Sequence, residues 1–279
     1  MRMIEMVHAY DITSMHCGGT IERIYEPENQ DQLSILMNEL HDFYILGGGT
    51  NTIFTDDRVT KPVIRLGKEF STIEPISSGL HVGAAVPSKH LVSYCARNGL
   101  SGMEFMAGIP GHLGGALFMN AGTPEKGILD MVTELEIMDL SGKKTIPRSD
   151  LHYSYRIGGI PEKTIITFAK LSVKKTSREN VRLGILFYLR KRRNQPHGYT
   201  SGSTFRNPEG KTAGYLIEKA GLKGIRIGGA KVSEIHANFI INDGTATTRD
   251  IQELITLIKE KVKGEFGIIL TEEVKIIGQ

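Results

Sequence analysis

Glycine crowds this chain in two places so closely that the backbone there carries almost no side-chain cover. The first run is Leu46-Gly47-Gly48-Gly49-Thr50-Asn51, directly after the apolar segment Phe43-Tyr44-Ile45-Leu46, which reads as a buried strand. The second is Gly108-Ile109-Pro110-Gly111-His112-Leu113-Gly114-Gly115-Ala116, followed by Asn120-Ala121-Gly122. Without a Cβ, such loops let backbone N–H groups approach and surround a pyrophosphate. Neither run has the Rossmann GxGxxG spacing. Gly210-Lys211-Thr212 looks like the end of a phosphate-binding P-loop, but Phe205 stands where that loop needs its first glycine. A nucleoside triphosphatase is therefore disfavoured. Each run alone is an ordinary tight turn; both together, with Asn51 and Asn120 behind them, favour a bound dinucleotide.

The surrounding pattern is α+β. Leu33, Leu36, Met37 and Leu40 follow helical spacing, and Ser88 can cap a helix bearing Leu91, Val92 and Cys95 that ends at Asn98-Gly99. Thr247 and Asp250 form a capping box before the apolar stripe Ile251, Leu254, Ile255, Ile258 and Val262. Strand-like runs fall at 63–66, 81–86, 135–138, 164–173 and 239–241, without a strict βαβ period. A charged helix over about 177–193 ends in Arg190-Lys191-Arg192-Arg193, where cations suit a helix C-terminus as well as they suit a phosphate.

Bulk properties exclude several classes. With 34 basic against 31 acidic residues, the net charge of +3 is too even for a nucleic-acid protein, although it suits a small anionic ligand. No apolar run is long enough to cross a bilayer, and the N-terminus lacks a signal-peptide pattern. The two cysteines, Cys17 and Cys95, form no CxxC pair, and the histidines form no HExxH, so neither a disulfide framework nor a metal site is expected. A reducing cytoplasm is the simpler setting.

Seven segments stand in a familiar order: ILGGGTN, GLSGMEFMAGIPGHLGGALFMNAG, YSYR, SGSTFRNP, AGYLIEKAGLKG, GGAKVSEIHANFIIN and EEVKIIG. The ordered set, from about Cys17 to Gly278, resembles the UDP-N-acetylenolpyruvoylglucosamine reductase (MurB) family in its short form. The resemblance implies a two-lobed FAD-binding domain of the vanillyl-alcohol-oxidase/MurB type over 1–178, divided near 60. A smaller α+β substrate-binding domain would occupy 179–279.

It also implies a monomeric, cytoplasmic enzyme of peptidoglycan precursor synthesis that holds FAD non-covalently. NADPH would be its hydride donor and UDP-N-acetylglucosamine enolpyruvate its substrate, with no metal, nucleic acid or membrane insertion. By the same resemblance Gly47, Gly48, Gly49, Thr50, Asn51, Gly108, Ile109, Pro110, Gly111, Gly114, Gly115, Ala116, Asn120 and Gly122 would hold FAD. Arg156 in YSYR would stabilise the intermediate's charge, Ser203 in GSTFRNP would donate the proton, and Glu273 before Val274 would assist. Tyr155, Arg206, Asn207, Lys223 and His236 would contact substrate.

The chain departs from the family after Asn120-Ala121-Gly122, and Asn194 stands where a lysine is common. The short spacing from Arg156 to Ser203 omits a loop that places a tyrosine on the diphosphate, leaving Arg192, Arg193 or Arg206 as substitutes. Two rivals remain: an alcohol-oxidising flavoprotein with the same FAD domain, and a non-catalytic UDP-sugar or flavin binder. The first has no need of GSTFRNP with a terminal EEV; the second has no need of Arg156, Ser203 and Glu273.

Overall fold

A computed structural model describes residues 1–161 and 163–278. Its chain divides into two compact units. The first comprises Met1–Met3, Ile24–Gly48 and Pro62–Arg193; the second comprises Ile4–Arg23, Gly49–Lys61 and Asn194–Gln279.

The first unit is organised by an antiparallel sheet. From edge to edge its strands are Gly142–Pro147, Val132–Asp139, Ile165–Leu171, Gly79–Gly83 and Ile73–Ile76. The central strand Ile165–Leu171 is apolar at most positions, because both faces of the sheet are covered. Leu135, Ile137, Ile166, Ala169 and Leu171 join one hydrophobic cluster with Leu91, Cys95, Leu113 and Leu117. Met138, Ile165 and Phe168 join another with Leu33, Leu36, Met37 and Phe70. A register shift between Ile166 and Phe168 re-aims the strand between these two cores. Beside it, Tyr44–Ile45 pairs in parallel with Val63–Ile64 and ends directly at the first glycine run.

The anticipated helices form. Ser88–Asn98 ends at Gly99 in the left-handed conformation (φ 61°), but Pro87 is its N-cap and no side chain caps it. Arg178–Lys191 begins under Ser177, whose hydroxyl accepts from the Asn180 N–H. Ile185 and Tyr188 of this helix pack against the first unit's core. The passage from the first compact unit to the second comes at Arg193/Asn194, after the helix. Two N-terminal stretches also join the second unit, a non-local arrangement that composition cannot signal.

The second unit packs helix Thr248–Phe266 over the antiparallel strands Arg226–Ile227, Ala230–Val232 and Ile240–Asn242. Thr247 and Asp250 form the capping box, and Ile251, Leu254, Ile255, Ile258 and Val262 are the buried stripe. A parallel pair, Thr52–Phe54 with Lys275–Ile277, completes it. Both cysteines are buried and free. Burial pushes the Cys17 thiol up to about 11 and Cys95 up to about 12, so neither is a ready nucleophile.

Candidate active site

In the first unit Gly47 and Gly48 lie backbone against backbone with the second glycine run. A Cβ on Gly48 would stand 2.7 Å from Gly111 Cα and 3.0 Å from His112 N. One on Gly47 would come within 3.7 Å of Gly115 N. The second run is pinned from beneath: Leu113 N–H donates to Val86 O (2.9 Å), Gly114 N–H to Ala84 O (2.8 Å) and Ser88 N–H to Gly111 O (2.9 Å). Gly108 and Gly111 take φ of 83° and 99°, where a Cβ is costly. Ile109, Pro110 and Ala116 complete the run, Ile109 N–H donating to Met106 O at 3.0 Å. A Cβ on Gly115, by contrast, would meet no atom within 4 Å. An open face of bare backbone, flanked by positions that tolerate no side chain, fits the pyrophosphate of a dinucleotide. The buried Ser88 hydroxyl beside this run has no partner among the described residues. Burial lowers the pKa of His112, at the start of helix Leu113–Phe118, helped by the charges of Arg65 and His90.

Asn120, behind the second run, bonds the protein through its side chain. It is buried in the left-handed conformation (φ 43°), and its amide is spent on the protein. Nδ2 donates to Ser154 O at 2.9 Å, and Oδ1 accepts from Leu129 N–H at 3.1 Å. It thereby anchors the tight turn Ser154–Ile157, closed by backbone hydrogen bonds in both directions (3.0 and 3.1 Å). Tyr155 and Arg156 occupy the tip of that turn. Arg156 has φ 59°, a strained conformation for an arginine and one that clusters at functional sites. Its guanidinium donates to Gly122 O at 3.3 Å and lies 5.0 Å from the Tyr155 ring centre. Arg192 reaches the other end of the same segment. Its Nη2 donates to Phe105 O (3.2 Å), and its side chain crowds Gly108. Burial lowers its pKa, and the like charge of Arg156 lowers it further.

In the second unit, residues 203–206 lie between two other segments. On one side Ser203 bridges Phe239, and Thr204 N–H donates to Asn238 O (2.8 Å). The Asn238 side chain also bonds the Phe205 backbone, accepting at 3.0 Å and donating at 2.8 Å. On the other side Glu273 N–H donates to Thr204 O (2.8 Å), and Arg206 N–H to Thr271 O (2.9 Å). The segments carrying Ser203 and Glu273 are thus brought side by side from positions far apart in sequence, with Thr204 opposite Glu273. Glu272 is held by Lys259 at 2.8 Å, and adjacent residues of an extended segment face opposite ways, so Glu273 is the one turned from that helix.

Asn51 joins this group. Its Nδ2 donates to Glu273 O (2.9 Å), and its carbonyl accepts from Lys275 N–H (2.9 Å). Gly49 must be glycine, since φ is 64° and a Cβ would fall 2.0 Å from Ile12 O. Ser14 N–H donates to Gly49 O (3.0 Å), and the Ser14 hydroxyl bonds Thr200 O (2.8 Å) and Thr50 O (3.4 Å).

Arg206 Nε and the Thr200 and Ser201 hydroxyls are buried with no partner among the described residues. Asn207 Oδ1 accepts from Ala213 N–H at 3.0 Å. Lys223 pairs with Glu218 at 2.8 Å. Burial lowers the pKa of His236, whose Nδ1 accepts from Asn238 N–H at 3.3 Å. Asn238 and Ser14, which sequence reasoning missed, act through the main chain and carry no motif of their own. Among the described residues no group of three or more His, Cys, Asp or Glu side chains could hold a metal ion, and no helix is long and apolar enough to cross a membrane.

Comparison with known proteins covers both units. A family model for an FAD binding domain matches residues 21–145, and one for the C-terminal domain of UDP-N-acetylenolpyruvoylglucosamine reductase matches 195–277. The UDP-N-acetylenolpyruvoylglucosamine reductase of Rickettsia akari (strain Hartford) is 37% identical over 96% of this chain and 93% of its own. That of Rickettsia conorii is 36% identical with the same coverage. The crystal structure of UDP-N-acetylenolpyruvylglucosamine reductase from Thermus caldophilus matches with a TM-score of 0.89 at 34% identity, covering 99% of each chain.

Proposed function

The chain belongs to the UDP-N-acetylenolpyruvoylglucosamine reductase family, and from that premise we propose how its residues divide the work. The protein is an FAD-dependent oxidoreductase that reduces UDP-N-acetylglucosamine enolpyruvate to UDP-N-acetylmuramate with NADPH, in peptidoglycan precursor synthesis. FAD, when bound, supplies the two-electron relay between NADPH and the enolpyruvyl double bond. The glycine-rich segments 47–51 and 108–116 would hold its pyrophosphate, with Gly122 supporting the loop behind.

Hydride addition to the vinyl carbon moves negative charge toward the substrate carboxylate. Arg156, always cationic and able to grip a carboxylate with two parallel bonds, stabilises that charge. Its strained turn, locked by Asn120, fixes the guanidinium before substrate arrives. Ser203 donates a proton to the carbon beside the carboxylate, and Glu273 supports it. The observation that supports this reading is that the extended segments carrying Ser203 and Glu273 lie side by side, tied by the Glu273 N–H to Thr204 O bond. Tyr155 in the first unit, and Asn207, Lys223 and His236 in the second, are the further candidates for substrate contacts. Arg206, whose buried Nε awaits an acceptor, is the candidate for an anionic substrate group.

We assign the enzyme to the cytoplasm as a monomer. Free buried thiols suit a reducing compartment. Ser203→Ala tests the assignment of roles. Flavin reduction by NADPH should stay near the wild-type rate, while reoxidation by the enolpyruvyl substrate falls at least ~10²-fold, the lower end for acid–base catalysis. Equal slowing of both steps would remove Ser203 from the proton-donor role.

A further inference from the structure

Four aromatic rings of the second unit stand outside the roles assigned above: His8, Tyr10, His16 and Tyr199. All four are exposed, Tyr10 at 41% and Tyr199 at 42%. They nevertheless form a column. His8 and Tyr10 stack at 5.1 Å with planes 11° apart, Tyr10 leans on His16 at 6.3 Å, and His16 stacks on Tyr199 at 4.0 Å and 17°.

The inner pair is held by dedicated structure. His16 has φ 57°, a conformation that residues bearing a Cβ avoid. Asn242, only 2% exposed, keeps it there: its Nδ2 donates to Met15 O (2.8 Å) and His16 O (3.0 Å). The backbone N–H of the same residue donates to Tyr199 O at 2.9 Å, and its Oδ1 accepts from Gly244 N–H (2.7 Å) and Ala246 N–H (2.9 Å). A buried, fully engaged amide thus fixes both segments whose rings meet at the surface. Rings that served only to fill space would be buried; these are rigidly displayed, as a binding surface requires.

We propose that the His16–Tyr199 stack is a nucleobase platform, on which the planar heterocycle of a nucleotide ligand lies. Every base offers a π-face, and stacking on an aromatic ring needs no hydrogen-bond code. The inference rests on the reading of Ser203 as proton donor. Tyr199 precedes Ser203 by a stretch that spans at most ~14 Å when fully extended. In the substrate a pyranose, a diphosphate and a ribose separate the reacting carbon from uracil, a separation of the same order. Adenine of NADPH is the other source of the same chemistry.

Calorimetric titration of the FAD-loaded enzyme with UDP, and separately with adenosine 2′,5′-bisphosphate, distinguishes them. Tyr199→Ala should weaken UDP roughly 5- to 150-fold, while Tyr199→Phe keeps the wild-type affinity. His16→Asn, which tolerates the left-handed backbone, should weaken it as well. Loss confined to the adenosine ligand would assign the platform to adenine. Unchanged affinity for both ligands in a folded Tyr199→Ala variant overturns the proposal, as does a lowered melting temperature with no change in affinity, the signature of a structural staple. Turnover by the wild type tests the reading of the reaction separately, because the UDP titration needs no chemistry.

Discussion

Gly115→Ala separates a cofactor cradle from an ordinary glycine turn. The position lies in the first turns of helix Leu113–Phe118, its φ is not positive, and an added Cβ would meet no protein atom within 4 Å. By local physics the substitution is benign: replacing helical glycine with alanine stabilises by about 0.5–1 kcal/mol. The apo-protein should therefore melt a few degrees higher or unchanged, since 1 kcal/mol is worth roughly 2–4 °C in a chain near this size. If the open face belongs to FAD, the same methyl overpacks the complex by about 1–3 kcal/mol. The FAD dissociation constant, read by quenching of flavin fluorescence, should then rise roughly 5- to 150-fold. Gly48→Ala is the contrast, because its Cβ would strike Gly111 Cα at 2.7 Å. That variant should lose stability and FAD together. A Gly115→Ala protein that binds FAD as tightly as wild type refutes the cradle.

Asn120→Ala should cost about 2–4 kcal/mol in denaturant unfolding, since it strands Leu129 N–H and Ser154 O and puts alanine in a left-handed conformation. His112 and His236 both have pKa values held below 6.5 by burial, so the unfolded chain binds their protons more readily. Their contribution to stability is complete above about pH 6.5 and is lost as pH falls toward the lower folded values. Melting temperature should accordingly drop between pH 7 and 5, with a shallower slope in His112→Gln and His236→Gln variants. Steady-state plots at several NADPH concentrations should be parallel, because nicotinamide and enolpyruvyl groups must each reach the same flavin; intersecting lines after correction for substrate inhibition would mean a ternary complex.

The parts of the fold governed by local rules were legible in the sequence. The capping box at Thr247 and Asp250, the stripe on helix Thr248–Phe266 and the left-handed stop at Gly99 all follow from side-chain geometry within a few residues. Strand limits were less legible. Val132–Asp139 extends beyond its apolar middle, and the largely exposed Arg2–His8 has no alternating apolar face to reveal it. The glycine runs announced a ligand, but not that Gly48 and Gly111 abut, which only packing decides. Asn120 and Asn242 were harder still: an asparagine that bonds distant main chain has no periodicity and no neighbour that marks it. The roles of Arg156, Ser203 and Glu273 were readable only through the ordered motifs. Nothing in composition says that the segment of Ser203 will lie beside the segment of Glu273.

The most direct test of the account is an anaerobic two-step titration of the purified holoenzyme. Addition of NADPH should bleach the yellow flavin completely, and one equivalent of UDP-N-acetylglucosamine enolpyruvate should then restore the colour with formation of UDP-N-acetylmuramate. A flavin that NADPH fails to bleach, or that stays bleached until oxygen is admitted, would contradict it.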